Sequence, residues 1–222
     1  MDLIVPISNF FQEGGFFMYP ILLVLGCGLA IAVERYIYLT SARSANRKAW
    51  KDLMEMLSKR DYARAMSASQ QSNSAIGRIL VYGLERAKSA RRRDDIETAM
   101  EEGLMEVMPR LEKRTHYLAT FANISTLLGL LGTVSGLIDA FAAVANADPA
   151  TKAELLSASI SEAMNCTAFG LGAAIPMMLI YSFLQSKTTE LVDSIEMVSV
   201  KFLNMLPEPG QPAVAAKDAA RI

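Results

Sequence analysis

Apolar residues in this chain gather into three long runs. No charged side chain occurs from Gly14 to Val33, from Tyr117 to Ile138 or from Ala163 to Ser186, runs of 20, 22 and 24 residues. A helix rises about 1.5 Å per residue, so about 20 residues cross a hydrocarbon core roughly 30 Å thick. A helix buried in a soluble bundle of this size keeps a charged face towards water, and none of these runs does. The pattern predicts an all-α integral membrane protein with three transmembrane helices, at 16–40, 116–142 and 159–186.

The intervening sequence also reads as helix. Trp50, Leu53, Met54 and Leu57 recur at helical spacing, and Ile76, Ile79, Leu80, Gly83 and Leu84 form a second apolar face. Asp61 is placed as the N-cap of a short helix, and Asp94 and Asp95 follow Arg91-Arg92-Arg93 where a further helix opens. From Ile96 the pattern is expected to run into the second span as one long helix, kinked at Pro109. These signals assign 41–115 to a helical cytoplasmic domain, 143–158 to a periplasmic loop and 187–206 to a cytoplasmic helix, so that the long helices extend beyond the membrane. Segment 1–15 is expected to be periplasmic and amphipathic, with Leu3 to Phe11 lying along the membrane surface. It carries Asp2 and Glu13 and no basic residue, which argues against a signal peptide. The proline-rich stretch from Pro207 to Pro212 predicts a disordered tail at 207–222.

Charge orients the spans. Segment 41–115 holds sixteen Lys and Arg against eleven Asp and Glu, whereas 139–162 holds only Lys152 against four acids. Basic residues mark the cytoplasmic side, so the N-terminus is expected outside and the C-terminus inside. The net charge of -1 gives no general attraction to nucleic acid. Cys27 and Cys166 both fall inside apolar runs and read as buried, reduced and structural. No phosphate-binding loop, zinc-ligand spacing or Ser-His-Asp set is visible, and the single histidine, His116, excludes histidine-rich catalysis. No cofactor, metal or catalytic residue is expected, and an enzyme acting at the membrane has no nucleophile–base pair to support it.

Small and hydroxyl residues line the last two spans. Thr126, Gly129, Thr133, Gly136 and Ala140 share a helix face by spacing, as do Ser159, Ala163, Thr167, Gly170 and Ala174. Gly132 and Gly136 also form a GxxxG pair, a packing signal. Two readings stay open: close helix packing in a passive membrane scaffold, or a lining for a pore or a partner helix, where threonine hydroxyls both donate and accept. Glu162, at the start of the third span, is an ionisable group near the bilayer and so a functional candidate; hydration at headgroup level is the other reading. Asp139 has the same ambiguity. No span carries a central acidic or basic residue, so any proton carrier deep in the membrane belongs to a partner.

Two motifs carry a family resemblance. Gly129-Leu130-Leu131-Gly132-Thr133-Val134-Ser135-Gly136 resembles the G-L-x-G-T-V-x-G signature of the ExbB/TolQ/MotA proton-channel family, and residues 160–171, Ile-Ser-Glu-Ala-Met-Asn-Cys-Thr-Ala-Phe-Gly-Leu, resemble its I-x-E-A-L-x-x-T-A-x-G-L signature. Three spans place the chain on the ExbB/TolQ side. The resemblance implies a stator or channel subunit of the bacterial inner membrane, driven by the proton motive force. It implies five copies around two copies of an ExbD/TolR-like single-span partner bearing a membrane aspartate, with output to a TonB/TolA-like or gliding protein. It also implies pore threonines at Thr133 and Thr167 and an ion-pathway glutamate at Glu162. Where ExbB-like members often have Ala-Pro this chain has Ser125-Thr126, so Na⁺ coupling stays open beside H⁺.

Overall fold

A computed structural model of the chain describes residues 14–206. Every regular element among them is an α-helix: α1 Met18–Ser58, α2 Tyr62–Gln71, α3 Ala75–Ala87, α4 Arg93–Glu112, α5 Thr115–Asn146 and α6 Lys152–Met205. The expectations of a surface-lying start before Gly14 and of a disordered tail at 207–222 lie outside the described residues. The chain has three helical segments long and apolar enough to cross a membrane, within α1, α6 and the segment that holds α5. It forms two compact units: residues 14–36 with 114–185, and 37–113 with 186–206.

In the first unit a small core of Met18, Ile21, Ala122, Cys166, Ala173 and Met177 is flanked by Phe17, Phe121 and Phe169. Outside it the surface is as apolar as the core. Leu23, Leu127, Ile138, Ile175 and Leu179 are each at least 60% exposed. Less than a third of each apolar window is buried, which suits a lipid solvent and no aqueous one. The same arrangement corrects the reading of Cys27. Cys166 is buried, but Cys27 is exposed. An apolar run that crosses a membrane is stable facing lipid, so its apolarity does not place a residue inside the protein.

The helix expected to run unbroken from Ile96 through the second span is two helices. Pro109 has no N–H to give the carbonyl one turn back, and α4 ends three residues later at Glu112. The Lys113 N–H closes the end on the Pro109 carbonyl at 3.1 Å. Arg114 then turns left-handed, at φ 67°, and α5 begins. The connection from α5 to α6 is residues 147–151, shorter than the 143–158 loop expected, because the flanking alanine-rich sequence continues both helices. α6 runs through 159–186 and 187–206 without a break, with Pro176 inside it.

In the second unit the apolar face predicted for 76–84 is buried as α3, with Ile76, Ile79, Leu80, Gly83 and Leu84 all inside. Gly83 gives the Phe202 ring and the Met100 side chain room to approach α3. Local signals set the ends. The Asp61 carboxylate accepts from the Arg64 N–H at 3.1 Å, capping α2. Asp95 accepts from the Arg91 and Arg92 N–H groups at 3.3 and 3.1 Å, where α4 opens. An ion pair of 2.5 Å between Arg43 and Glu190 joins α1 to α6 in this unit, with both side chains more than half exposed.

Candidate functional site: a close-packed helix pair and the cavity beside it

α5 and α6 approach until backbone meets backbone. A methyl carbon on Gly170 would lie 2.7 Å from the Ser125 carbonyl oxygen and 3.0 Å from the Gly129 Cα. One on Gly129 would lie 3.3 Å from the Cα atoms of both Gly170 and Thr167, and one on Gly136 2.9 Å from the Ala163 methyl. On Gly132 it would collide with the Cys166 sulfur. At Gly170, where the nearest atoms are backbone, no side chain fits, and along the rest of the line only small residues do, which is why they recur every three or four positions on both helices.

The contact line is set slightly round from the centre of the residue stripe. Gly129, Gly132, Gly136 and Ala140 on α5, and Ala163, Thr167, Gly170 and Ala174 on α6, lie in or beside it, with Ser159 at its end. Thr126 and Thr133 flank it, Thr126 exposed and Thr133 half-buried. The residues drawn in instead are Ser125, with no exposed surface, and Cys166. Ser125 stands four residues before Gly129, and Cys166 stands four before Gly170. The helical period alone therefore held both signals, which stripes chosen for glycine and threonine passed over. The Ser125 hydroxyl is buried and makes no hydrogen bond.

The hydroxyls of the three stripe threonines, Thr126, Thr133 and Thr167, each donate to a backbone carbonyl. Thr167 Oγ1 donates across the interface to the Gly129 oxygen at 2.7 Å. Thr133 donates to the Leu130 oxygen at 2.6 Å, and Thr126 to that of Ala122 at 3.2 Å. A carbonyl can only accept, so each hydroxyl proton is committed and only its lone pairs remain open.

Beside this line lies a cavity of about 120 Å³ bordered by Gly15, Phe17, Ser135, Asp139, Glu162 and Cys166. Glu162 lies about three turns into α6, which begins at Lys152, ahead of the third uncharged run. Its carboxylate sits against Gly15, which turns at φ 73°. A side chain at Gly15 would be strained by that φ and would also strike the carboxylate. Asp139 borders the same cavity, so the structure brings the two candidate acids to one place. His116 stands apart, at the start of α5, with its ring 4.3 Å from that of Tyr117. Among the described residues no cluster of three or more His, Cys, Asp or Glu side chains is arranged to hold a metal ion.

Residues 71–197 match the MotA/TolQ/ExbB proton channel family. The chain is similar to an ExbB homologue of Methanothermobacter thermautotrophicus, described as a biopolymer transport protein, with 29% identity over 202 residues, 87% of this chain and 70% of that one. It is similar to an ExbB-like biopolymer transport protein of Synechocystis, 28% identical over 219 residues, 96% of this chain and 85% of the other. The Tol-Pal system protein TolQ of Haemophilus influenzae is 40% identical over 84 residues, 38% of this chain and 36% of TolQ.

Proposed function

The chain belongs to the MotA/TolQ/ExbB proton channel family, and from that premise we propose that it is the channel and stator subunit of an ion-driven motor in the bacterial cytoplasmic membrane. Its relatives are named for biopolymer transport and for the Tol-Pal system, so we read its output as TonB-type or Tol-type. In this reading five copies enclose two copies of an ExbD/TolR-like partner whose membrane aspartate carries the proton, and the output passes to a TonB/TolA-like or gliding protein. The N-terminus faces outside and segment 41–115 faces the cytoplasm, as the basic residues suggest.

The committed hydroxyls support this reading best. With Thr167 bonded to Gly129 and Thr133 to Leu130, the threonines offer a passing helix acceptors and no donors. A protonated carboxyl can donate to such a wall. An ionised one finds no donor there and is disfavoured in low-dielectric surroundings. Freeing a threonine proton to serve a carboxylate breaks one hydrogen bond, at a net cost of about 1 kcal/mol. One charge crossing 100 mV supplies about 2.3 kcal/mol, so the membrane potential is sufficient to drive that exchange. The wall thereby selects which charge state of the aspartate passes it. Glu162 and Asp139, sharing one cavity, form the proton's approach on the outer side.

The competing reading is a passive scaffold, favoured by the same close contact of α5 with α6. Proton flux through liposomes holding this chain and its single-span partner separates the two. Thr167→Val keeps the side-chain shape and removes the hydroxyl, whereas Thr167→Ser keeps the hydroxyl. Flux lost in the first and retained in the second, with assembly intact in both, supports the motor. Normal flux with valine refutes the role given to Thr167. The Ser125-Thr126 hydroxyls leave Na⁺ as the coupling ion to be tested by the same flux in Na⁺-free buffer.

A further inference from the structure

The second unit holds an open cavity of about 570 Å³, lined by residues of 38–52 in α1, the connection 72–74 with the start of α3, and the end of α4. Its size is that of small-molecule sites, which run roughly 300–1,000 Å³. Three cationic side chains line it, Lys48, Arg78 and Arg110, against one acid, Asp52. Arg78 and Arg110 share a single counter-ion, Glu106, at 3.9 and 3.7 Å, and that carboxylate also accepts from the Tyr82 hydroxyl at 2.7 Å. The cluster thus keeps an excess of positive charge. The thirteen-residue α3 starts at the same cavity, capped by Ser74, and adds the positive end of its dipole.

An independent observation comes from Asn46. Only 3% of it is exposed, and it lines the cavity. Its Oδ1 accepts from the Ile76 N–H at 3.3 Å. Its Nδ2 is buried and makes no hydrogen bond. A buried amide donor in a cavity also lined by guanidinium groups with one shared counter-ion favours an acceptor-only anion. Two guanidiniums, an ammonium and an amide offer more N–H donors than the roughly four lone-pair sites of a carboxylate accept, and they match the several oxygens and higher charge of a phosphoryl group.

We propose that this cavity is a phosphoryl-binding site in which Asn46, Arg78 and Arg110 hold the anion. Two sources share that chemistry: a soluble phosphate ester, or the headgroup of an anionic phospholipid, since Tyr38 at the cavity edge lies only five residues past Val33, where the first uncharged run ends.

The test uses the full-length chain and follows its thermal unfolding in two arms. In neutral detergent, inorganic phosphate is compared with chloride at equal ionic strength. In nanodiscs, phosphatidylglycerol is compared with phosphatidylcholine. A ligand that binds the folded chain raises its unfolding temperature in proportion to occupancy. Asn46→Asp keeps the acceptor for the Ile76 N–H and replaces the free donor with negative charge. Arg78→Gln combined with Arg110→Gln removes the guanidiniums. Lys59→Gln removes a charge elsewhere in the unit. Wild type and Lys59→Gln are expected to be stabilised, and the other two variants to lose about tenfold or more in apparent affinity. Protection by phosphate identifies a soluble ester; protection by phosphatidylglycerol alone identifies a lipid headgroup. No response of the wild type in either arm overturns the proposal. So does an undiminished response of Asn46→Asp or of the arginine variant, or a loss shared by Lys59→Gln.

Discussion

Gly170 and Gly172 stand two residues apart on α6 in opposite surroundings, and replacing each by alanine tests the α5–α6 contact directly. The Gly170 methyl would lie 2.7 Å from the Ser125 oxygen and 3.0 Å from the Gly129 Cα, both backbone atoms that no side-chain rotation can clear. Ordinary carbon contacts begin at about 3.5 Å, so the helices must part locally by about 0.5–0.8 Å. That parting stretches the Thr167–Gly129 hydrogen bond from 2.7 Å towards the limit of a useful bond. Overpacking of this kind costs about 1–3 kcal/mol and the weakened bond up to about 1 kcal/mol, offset by about 1 kcal/mol from alanine's better helix propensity. The net expectation is a loss of up to about 3 kcal/mol for Gly170→Ala, centred near about 1.5 kcal/mol. A methyl on Gly172 meets nothing within 4 Å, so Gly172→Ala is expected to be neutral or slightly stabilising. Both variants, purified in the same detergent, are to be unfolded by a denaturant series with helicity as the readout. If Gly170→Ala is as stable as Gly172→Ala, the helices do not approach as described, and the account of the Thr167 hydroxyl falls with them.

Three further outcomes follow from local geometry. α1 ends with Arg60 at φ 59°, its N–H on the Leu57 oxygen and the Asp61 N–H on the Met56 oxygen, at 2.9 and 3.1 Å; glycine suits that left-handed position, so Arg60→Gly should stabilise the chain by about 1 kcal/mol in the same unfolding series, and a loss would contradict it. Asp61→Ala removes the α2 cap bond to Arg64 and should cost about 1 kcal/mol, with Asp61→Ser retaining most of it. The hydrogen bond from Tyr82 to Glu106, followed by repulsion from that carboxylate, raises the Tyr82 pKa. Its folded value lies above its unfolded one, so the stability it adds is complete below about pH 10 and disappears as pH rises through the folded value. In an alkaline absorbance titration, Tyr82→Phe should therefore remove a late-ionising phenol; if the late component persists, the bond to Glu106 is not formed.

Much of this protein is legible from its residues alone. Run length without charge marks three membrane spans because a bilayer has a fixed thickness and a helix a fixed rise. The apolar face at 76–84 and the caps at Asp61 and Asp95 are also local, since each rests on residues within a turn or two of one another. The glycine and threonine periods announce that something approaches α5 and α6 closely.

Tertiary structure decided the rest. In lipid, apolarity does not separate inside from outside, so the sequence could not tell that Cys166 is buried and Cys27 is not. Successive helical residues stand about 100° apart, so a stripe defines a broad arc and not a line. Only the packed pair shows that Ser125 and Cys166 lie in the contact, that Thr126 and Thr133 flank it, and that the Thr167 proton is held by a carbonyl of the neighbouring helix. Gly15 meets Glu162, 147 residues away, through a turn that local preference permits but does not aim. The break after α4 needed both Pro109 and a left-handed Arg114, whose guanidinium meets Glu34 of α1 at 3.4 Å, and that partner is distant in sequence. Periodicity and chain length act within a few residues and were written in the order of amino acids; which faces meet depends on contacts between residues far apart, and those exist only once the helices have packed.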